Sequence, residues 1–366
     1  MRYLSKLKPS TLRGKTCLLR VDFNIENPDE SYRLQASLPT LHYLARSRAK
    51  IVILAHRGRP KNDLASRRNA SLRITLPFLR KNFGNRVQFF NDSNFAALRR
   101  RINAAKPNAI ILLENLRFFE GEETNDQAFA KSLASLGNLY VNDAFSVCHR
   151  KNASVVHLPR YLPSFAGLLL GKELAVLGKF LKTNSRSLII ILGGAKASDK
   201  IGVMKHFLRR ARTILLGGVP ANTFLKAKGF DIENSHFEPK MISTARRLLR
   251  NPRIVLPVDF IAHGGRLLDI GPRTAKLFRS EIRKGKTIFW NGPMGLFENK
   301  KFRGGSEAIA RAIVGSPGFS IAGGGETTQL IIQLKLERRF GFLSAGGGAM
   351  LEYLSGKELP GIKALQ

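Results

Sequence analysis

Cysteine is nearly absent: Cys17 and Cys148 are the only two in 366 residues, and they give neither a disulfide framework nor a metal-ligating spacing. Both read as reduced thiols of a cytoplasmic protein. Long apolar runs are missing, so no membrane association is expected, and the opening MRYLSKLKPSTLRGK lacks the apolar core of a signal peptide. Acid is scarce. Only 26 Asp and Glu stand against 61 Lys and Arg, a formal net charge of +35. The common nucleotide signatures fail as well. Gly-Lys-Thr occurs at Gly14 and Gly285, but the earlier glycine that a Walker A loop requires is replaced by Pro9 and Ser280. No G-x-G-x-x-G opens a helix after the first strand, which argues against a dinucleotide dehydrogenase. Protein-kinase HRD and DFG signatures and a G-x-S-x-G elbow are also absent. His56 and His149 have no Cys or His neighbours at metal spacing.

What is present begins with the charge. Residues 1–100 hold 21 basic and 6 acidic residues, and the excess continues along the chain. Such a balance points to polyanionic partners, whether phosphorylated metabolites, nucleic acid or acidic membrane. Most of these cations, as in RRARTI and RRLLRN, read as solvated helix faces. Non-specific, salt-labile RNA binding is expected from charge alone. A specific nucleic-acid partner is not, because no RNA-binding motif or Arg-Gly repeat accompanies the charge.

Apolar β-branched runs alternate with amphipathic stretches. CLLRVDF, KIVILAH, VQFF, AIILLEN and LYVND, from Cys17, Lys50, Val87, Ala109 and Leu139, form a first series of expected strands. SLIIILG, TILLGG, RIVLPVDF, TIFWNG and FSIAGG, from Ser187, Thr213, Arg253, Thr287 and Phe319, form a second. Continuous apolar strands alternating with helices predict an α/β fold of parallel sheets flanked by helices. Ten strands are many for one sheet, so two Rossmann-like domains are expected. A single long helix over Pro163–Leu181 is expected to connect them.

In open α/β sheets, ligands bind beyond the carboxyl ends of the strands. In the first half those ends carry DFN (Asp22, Phe23, Asn24), HRGRP (His56, Arg57, Gly58, Arg59), ENLRFF (Arg117) and NDAFSVCHR (Arg150). With Arg33, these form a polar and basic edge, and arginine forks suit phosphate and carboxylate. In the second half the ends are glycine-rich: LGGAKASDK (Gly193, Gly194), LGGVPANTF (Gly217, Gly218), WNGPMGLFE (Asn291) and GGGETT (Gly324, Gly325). Glycine allows close backbone approach to phosphate. Lys196 and Lys200, four apart, share one helical face beside the first of these turns. An arginine-lined half and a glycine-lined half suit the movement of a phosphoryl group between two bound anions. One detail resists this reading. GGGETT puts a carboxylate, Glu326, where phosphate is expected.

The motifs LLRVDFN, AHRGRP, LLENLRF, NDAFSVCHR, ILGGAKASDKIG, LDIGP, WNGPMGLFE, GGGETT and SAGGGAMLEYLSGKELPG follow one another in this order. In that order, and over nearly the whole chain, the sequence resembles the phosphoglycerate kinase family. The resemblance implies a 3-phosphoglycerate-binding domain (1–162 with 351–366) and a nucleotide-binding domain (163–350, including the connecting helix), in a monomer that closes by a hinge. It implies reversible transfer of the acyl phosphate of 1,3-bisphosphoglycerate to Mg-ADP, giving 3-phosphoglycerate and ATP in glycolysis. Asp22, Phe23 and Asn24 would line the glycerate, and Arg33 would meet its reacting carboxyl end. His56, Arg59, Arg117 and Arg150, with Arg57 and Gly58 in the same loop, would hold the 3-phosphate. Lys196 would accompany the phosphoryl group in flight, and Lys200 would act with it on nucleotide phosphate. Gly193, Gly194, Gly217, Gly218, Asn291, Gly324, Gly325 and Thr327 would line the nucleotide, with Glu298 on the ribose hydroxyls. Glu326 would stand where the family places an aspartate that ligates the nucleotide's magnesium. ELPGIKALQ would return to the N-terminal domain.

The chain also departs from the family pattern. Val219 and Pro220 interrupt a glycine-methionine pair of the nucleotide loop, and Pro220 removes an N–H donor. Arg57 stands for a leucine and Ala345 for a threonine, and the stretch between Asp259 and Asp269 is short.

Overall fold

All ten expected strands form at least in part in a computed structural model, which describes residues 1–26, 31–61, 63–183 and 187–366. The first sheet contains β1 (Thr16–Arg20), β2 (Lys50–Leu54), β3 (Val87–Phe90), β4 (Ile110–Leu113), β5 (Leu139–Asn142) and β6 (Ser164–Ala166). Its order is β3-β4-β2-β1-β5-β6, parallel throughout. Next come β7 (Leu188–Leu192), β8 (Thr213–Leu216) and β9 (Ile254–Val255), then a hairpin of β10 (Phe260–His263) and β11 (Arg266–Ile270). With β12 (Thr287–Asn291), β13 (Phe319–Gly323) and β14 (Phe342–Ser344), β7 to β9 form a second parallel sheet, ordered β14-β13-β12-β7-β8-β9.

Burial explains why these runs are strands. Every residue of β7 is buried, as expected of a central strand covered by helices on both faces. In the first sheet, Leu19, Val21, Ile51, Ile53, Leu112 and Val141 share one core cluster.

Two expectations need correction. The helix does not begin at Pro163: Ser164–Ala166 pairs with β5 as the edge strand β6, and the helix runs over Leu168–Leu181. Gly167 is the reason the two separate, for its N–H donates to Asn142 O (2.8 Å) and continues the strand contact. The run RIVLPVDF is also not one strand, because Pro257 cannot donate to a ladder and the chain re-forms as the hairpin.

The chain divides into two compact units, Met1–Ala175 with Glu358–Gln366, and Val176–Lys357. The C-terminal segment joins the first unit, where Gly361 N donates to Cys148 O (2.8 Å). Both cysteines are buried thiols, and burial pushes that of Cys148 up to about 12.

Each sheet has neighbouring strands from which the chain leads off to opposite sides: β1 to β2 and β5 to β6 in the first, β7 to β8 and β12 to β13 in the second. Ligands of open α/β sheets settle outside the strands' carboxyl ends at such points.

Candidate active site

Register sets the first site. Arg20, the last residue of β1, lies level with Leu54 of β2 and Asn142 of β5, so the segments after these strands begin side by side. Asp22 is buried; its Oδ1 accepts from Asn24 N (3.0 Å), while Oδ2 has no hydrogen-bond partner among the described residues and lies 3.5 Å from Arg33 Nη1. Arg33 also donates to Asn24 O (2.7 Å). Asn24 Oδ1 accepts from Gly58 N (2.8 Å), and Gly58 O accepts from Arg117 Nη1. Asn115, fully buried, braces the same loop by donating to Arg57 O (2.7 Å) and Ala70 O (2.9 Å). Asp22, Asn24, Arg33, Gly58 and Arg117 are thus joined through one hydrogen-bonded set.

His56 is buried beside them. Burial, and then the charges of Arg20, Arg117, Arg150 and Arg33, holds its imidazole well below the ordinary histidine range. Burial is also the main force lowering Arg117 and Arg150, with Arg59 and Arg20 adding repulsion to both and Glu123 opposing. Guanidiniums stay protonated in proteins, so the result is a concentrated positive field. A bound dianion relieves it. Arg59 is exposed at this edge.

Two residues stand apart from that ligand role. Phe23 is fully buried in the core, which leaves only its backbone to face a ligand. Arg57 directs its guanidinium to the carbonyls of Ile25 (2.7 Å), Glu26 (2.8 Å) and Asn69, tying the loops after β1 and β2 together.

Sequence reasoning passed over the support beneath His56. Arg20 is only 1% exposed; it donates to Ser154 Oγ (3.0 Å), to Val21 O (2.6 Å) and to His56 Nδ1 (3.1 Å). Ser154 donates through Oγ (2.6 Å) and N (2.9 Å) to the buried carboxyl of Glu122, which lies 3.9 Å from Arg20. The available signal was a charge within the apolar run CLLRVDF, since a buried arginine requires a partner.

The second site is built in the same way. Leu192, Leu216, Asn291 and Gly323 lie level at the ends of β7, β8, β12 and β13. The turns that follow touch through their backbones: Gly193 N donates to Asn291 O (2.9 Å), Gly194 N to Pro293 O (2.8 Å) and Gly218 N to Met294 O (2.9 Å). A side chain on Gly292 (φ 90°) would overlap the Gly193 carbonyl, so only glycine fits there. Gly217 abuts Met294, and Gly324 leads into the helix Gly325–Gln333. That helix begins with N–H groups that lack intrahelical partners, a natural anion site.

Lys200, nearly buried, donates to Asn291 Oδ1, and Asn291 Nδ2 donates to Gly323 O (2.6 Å). Burial pulls the Lys200 ammonium down to about 8, against the opposing pull of Asp199 and Glu326. Thr327 is buried and accepts from Gly292 N (2.7 Å), so it ties two turns together. Lys196 is exposed at the first turn. Just beyond it, Glu238, unforeseen from the sequence, accepts from Ser198 N (2.9 Å) at the start of the helix Ser198–Phe207. Pro220 lies in the first turn of the helix Gly218–Ala227, where a free N–H would otherwise stand. Glu326 and Glu298 both line a cleft of about 270 Å³ with Gly194, Gly218 and Met294. Partial desolvation first, and then Glu298, raises the Glu326 carboxyl, while Lys200 lowers it.

One site concentrates arginine at a sheet's switch point, and the other gathers four glycine turns with a lysine at another. The sequence pattern of phosphoglycerate kinase matches residues 7–357. The chain belongs to the phosphoglycerate kinase family. Phosphoglycerate kinase of Dictyoglomus turgidum is 41% identical over 389 aligned positions covering 98% of each chain, and that of Moorella thermoacetica is 38% identical, also at 98% of each. Among solved structures, phosphoglycerate kinase from Pyrococcus horikoshii superposes with a TM-score of 0.89 at 32% identity, covering 100% of this chain and 98% of its own. The Coxiella burnetii phosphoglycerate kinase does so at 0.82 and 31% identity, covering 99% and 98%. Like the rest of the phosphoglycerate kinase family, this chain is a phosphotransferase of glycolysis. It moves a phosphoryl group reversibly between 1,3-bisphosphoglycerate and ADP, giving 3-phosphoglycerate and ATP.

Proposed function

We propose that the first unit holds the phosphoglycerate and the second holds the nucleotide, each at its sheet's switch point. The observation that carries this is the pairing of an overcharged arginine site with a separate set of glycine turns around Lys200. His56, Arg59, Arg117 and Arg150 grip the 3-phosphate. Asp22 offers to the glycerate hydroxyl its Oδ2, which accepts no hydrogen bond from the described residues, and Asn24 adds backbone contact. Arg33 meets the carboxylate, whose oxygen attacks the terminal phosphorus of ATP as ADP leaves. Lys196 follows the phosphoryl group. Lys200 and the N–H groups of Gly193, Gly194, Gly217, Gly218, Gly324 and Gly325 bind nucleotide phosphates, and Glu298 takes the ribose hydroxyls.

A loose phosphoryl transition state spreads charge over its equatorial oxygens, so placed cations and backbone donors suffice without a covalent nucleophile. Both substrates must be brought together and water kept out, hence a monomer whose domains close on a hinge. The cytoplasm is its place; among the described residues, no helix is long and apolar enough to cross a membrane. The basic surface adds salt-labile attraction to RNA but no specific nucleic-acid partner. A coupled assay with 3-phosphoglycerate and Mg-ATP tests the whole reading, and absence of turnover ends it.

Magnesium fits this donor set as a companion of the nucleotide. Among the described residues no cluster of three or more metal-binding side chains exists, so no protein cage competes with phosphate for the ion. Magnesium typically takes one or two carboxylates beside phosphate oxygens and water. Glu326 is such a carboxylate, crowded by Glu298 and therefore relieved by a cation. The ion would supply neutralisation of the phosphate charge. Glu326→Ala should raise the magnesium concentration needed for half-maximal activity and leave the KM for 3-phosphoglycerate unchanged, while Glu326→Asp stays active. An unaltered magnesium titration in Glu326→Ala makes Glu326 a mere first-turn acid.

Lys200 makes nucleotide binding depend on pH. Phosphate oxygens favour the ammonium over the amine and raise its pKa from about 8, so binding near that pH takes up a proton. Nucleotide affinity should accordingly fall as pH rises beyond that value. Calorimetry in buffers of different ionisation enthalpy reads the uptake, and Lys200→Met should abolish it. Heats independent of buffer would exclude this role for Lys200.

A further inference from the structure

Arg20 does not reach the substrate edge, yet it meets His56, which is placed there. Its guanidinium has only donors, and its Nη2 lies 3.1 Å from His56 Nδ1. Nδ1 must therefore accept. A ring that accepts at Nδ1 carries its proton on Nε2 and is neutral. We propose that Arg20 is a positioning residue that fixes His56 as the neutral Nε2–H tautomer, aiming one uncharged donor at the 3-phosphate. This rests on the reading of His56 as a phosphate ligand.

The arrangement is built to hold. Arg20 cannot swing away, because Nε is fixed on Ser154 and Nη1 on Val21 O. Ser154 is anchored in turn by Glu122, and Tyr140 Oη donates to Ser154 O (2.8 Å). Glu122 supplies the negative charge that lets a guanidinium remain at 1% exposure. With Nδ1 held by Arg20, Nε2 is the ring nitrogen left to donate.

The charged groups around the ring agree with a neutral imidazole. Arg20 comes from β1, Arg33 from the helix Ser31–Arg46, Arg117 from the segment after β4 and Arg150 from that after β5. None is an acid, and an imidazolium would add a fifth cation to the group. The neutral ring's single N–H fixes orientation without strengthening the field.

The test is the ring nitrogen spectrum of 15N-histidine-labelled protein, with His56 assigned by its loss in His56→Gln. The expected result is one protonated nitrogen, Nε2, and one bare nitrogen, Nδ1, between about pH 5 and 8. An Nδ1–H tautomer or an imidazolium near neutral pH overturns the proposal, and the parent protein alone suffices to show it. The double variant Arg20→Gln/Glu122→Gln removes both buried charges together, which protects folding. It should give His56 a mixture of tautomers and raise the KM for 3-phosphoglycerate roughly tenfold, the worth of one hydrogen bond to a charged group. Its kcat and nucleotide KM should hold. A double variant that keeps the parent's His56 spectrum and its KM overturns the role of Arg20. An unchanged KM in His56→Ala overturns the phosphate reading instead, and leaves the tautomer standing.

Discussion

Replacing Arg33 or Lys196 by alanine is expected to lower kcat about 100- to 1000-fold, equivalent to roughly 2.7–4 kcal/mol of transition-state stabilisation. On the proposed reading, both supply charge where it develops. Arg33 is half-buried and held by Asn24 O, at 2.7 Å, beside the carboxyl of Asp22, so its loss also loosens that loop. The KM for 3-phosphoglycerate should therefore rise in Arg33→Ala, with that for Mg-ATP nearly unchanged. Lys196 is exposed beside the Gly193–Gly194 turn, and its loss should leave both KM values close to the parent's. Arg33→Lys keeps the charge but not the planar fork, and should recover only part of the rate. Steady-state kinetics of the three variants decide the matter. An unchanged kcat in either alanine variant removes that residue from the transfer step.

The second large effect concerns stability. Arg20→Met strands the buried carboxyl of Glu122, and removing one partner of a buried ion pair typically costs about 3–5 kcal/mol. Burial already raises the Glu122 carboxyl above its ordinary value, and Arg20 and Ser154 oppose that rise. Without Arg20 the rise is larger, and the folded state holds a proton that the unfolded chain releases at lower pH. The sign follows directly. Stability of Arg20→Met is best below the unfolded carboxyl value and declines as pH climbs through the raised one. Adding Glu122→Gln to Arg20→Met should restore much of the loss, because the amide accepts from Ser154 N without a charge. Urea denaturation at several pH values tests both statements. Equal stability of Arg20→Met and the parent near pH 7 would show that the pair contributes nothing.

How far the sequence spoke depended on range. Strands such as SLIIILG and TIFWNG were legible because a run of apolar residues is enough to bury a central strand. Ser164–Ala166 was not, since three residues between Pro163 and the leucines of the following helix carry too little period to separate from it. Phe342–Ser344 was too short for the same reason. Where to look for a candidate site could be read, because topology dictates where ligands of open α/β sheets settle. Their supports could not. Glu122 lies far along the chain from Arg20, and Asn115 from Arg57, and no local pattern says that they meet. Arg57 illustrates the limit from the other side: as a basic residue within HRGRP it passes for a ligand, while three carbonyls claim its guanidinium.

The glycine turns of the second unit carry a consequence for engineering. Where Gly292 lies on the Gly193 carbonyl and Gly217 on Met294, no added atom can be accommodated without moving a neighbouring turn. These positions are closed to gradual change, and a library that varies them would consist almost wholly of inactive protein. Freedom lies elsewhere on the same cleft, at His236 and Arg266, which are exposed on its wall and do not belong to the packed turns. If this cleft takes the nucleotide as proposed, a route to a different nucleobase would begin with those two side chains and leave the glycine turns untouched.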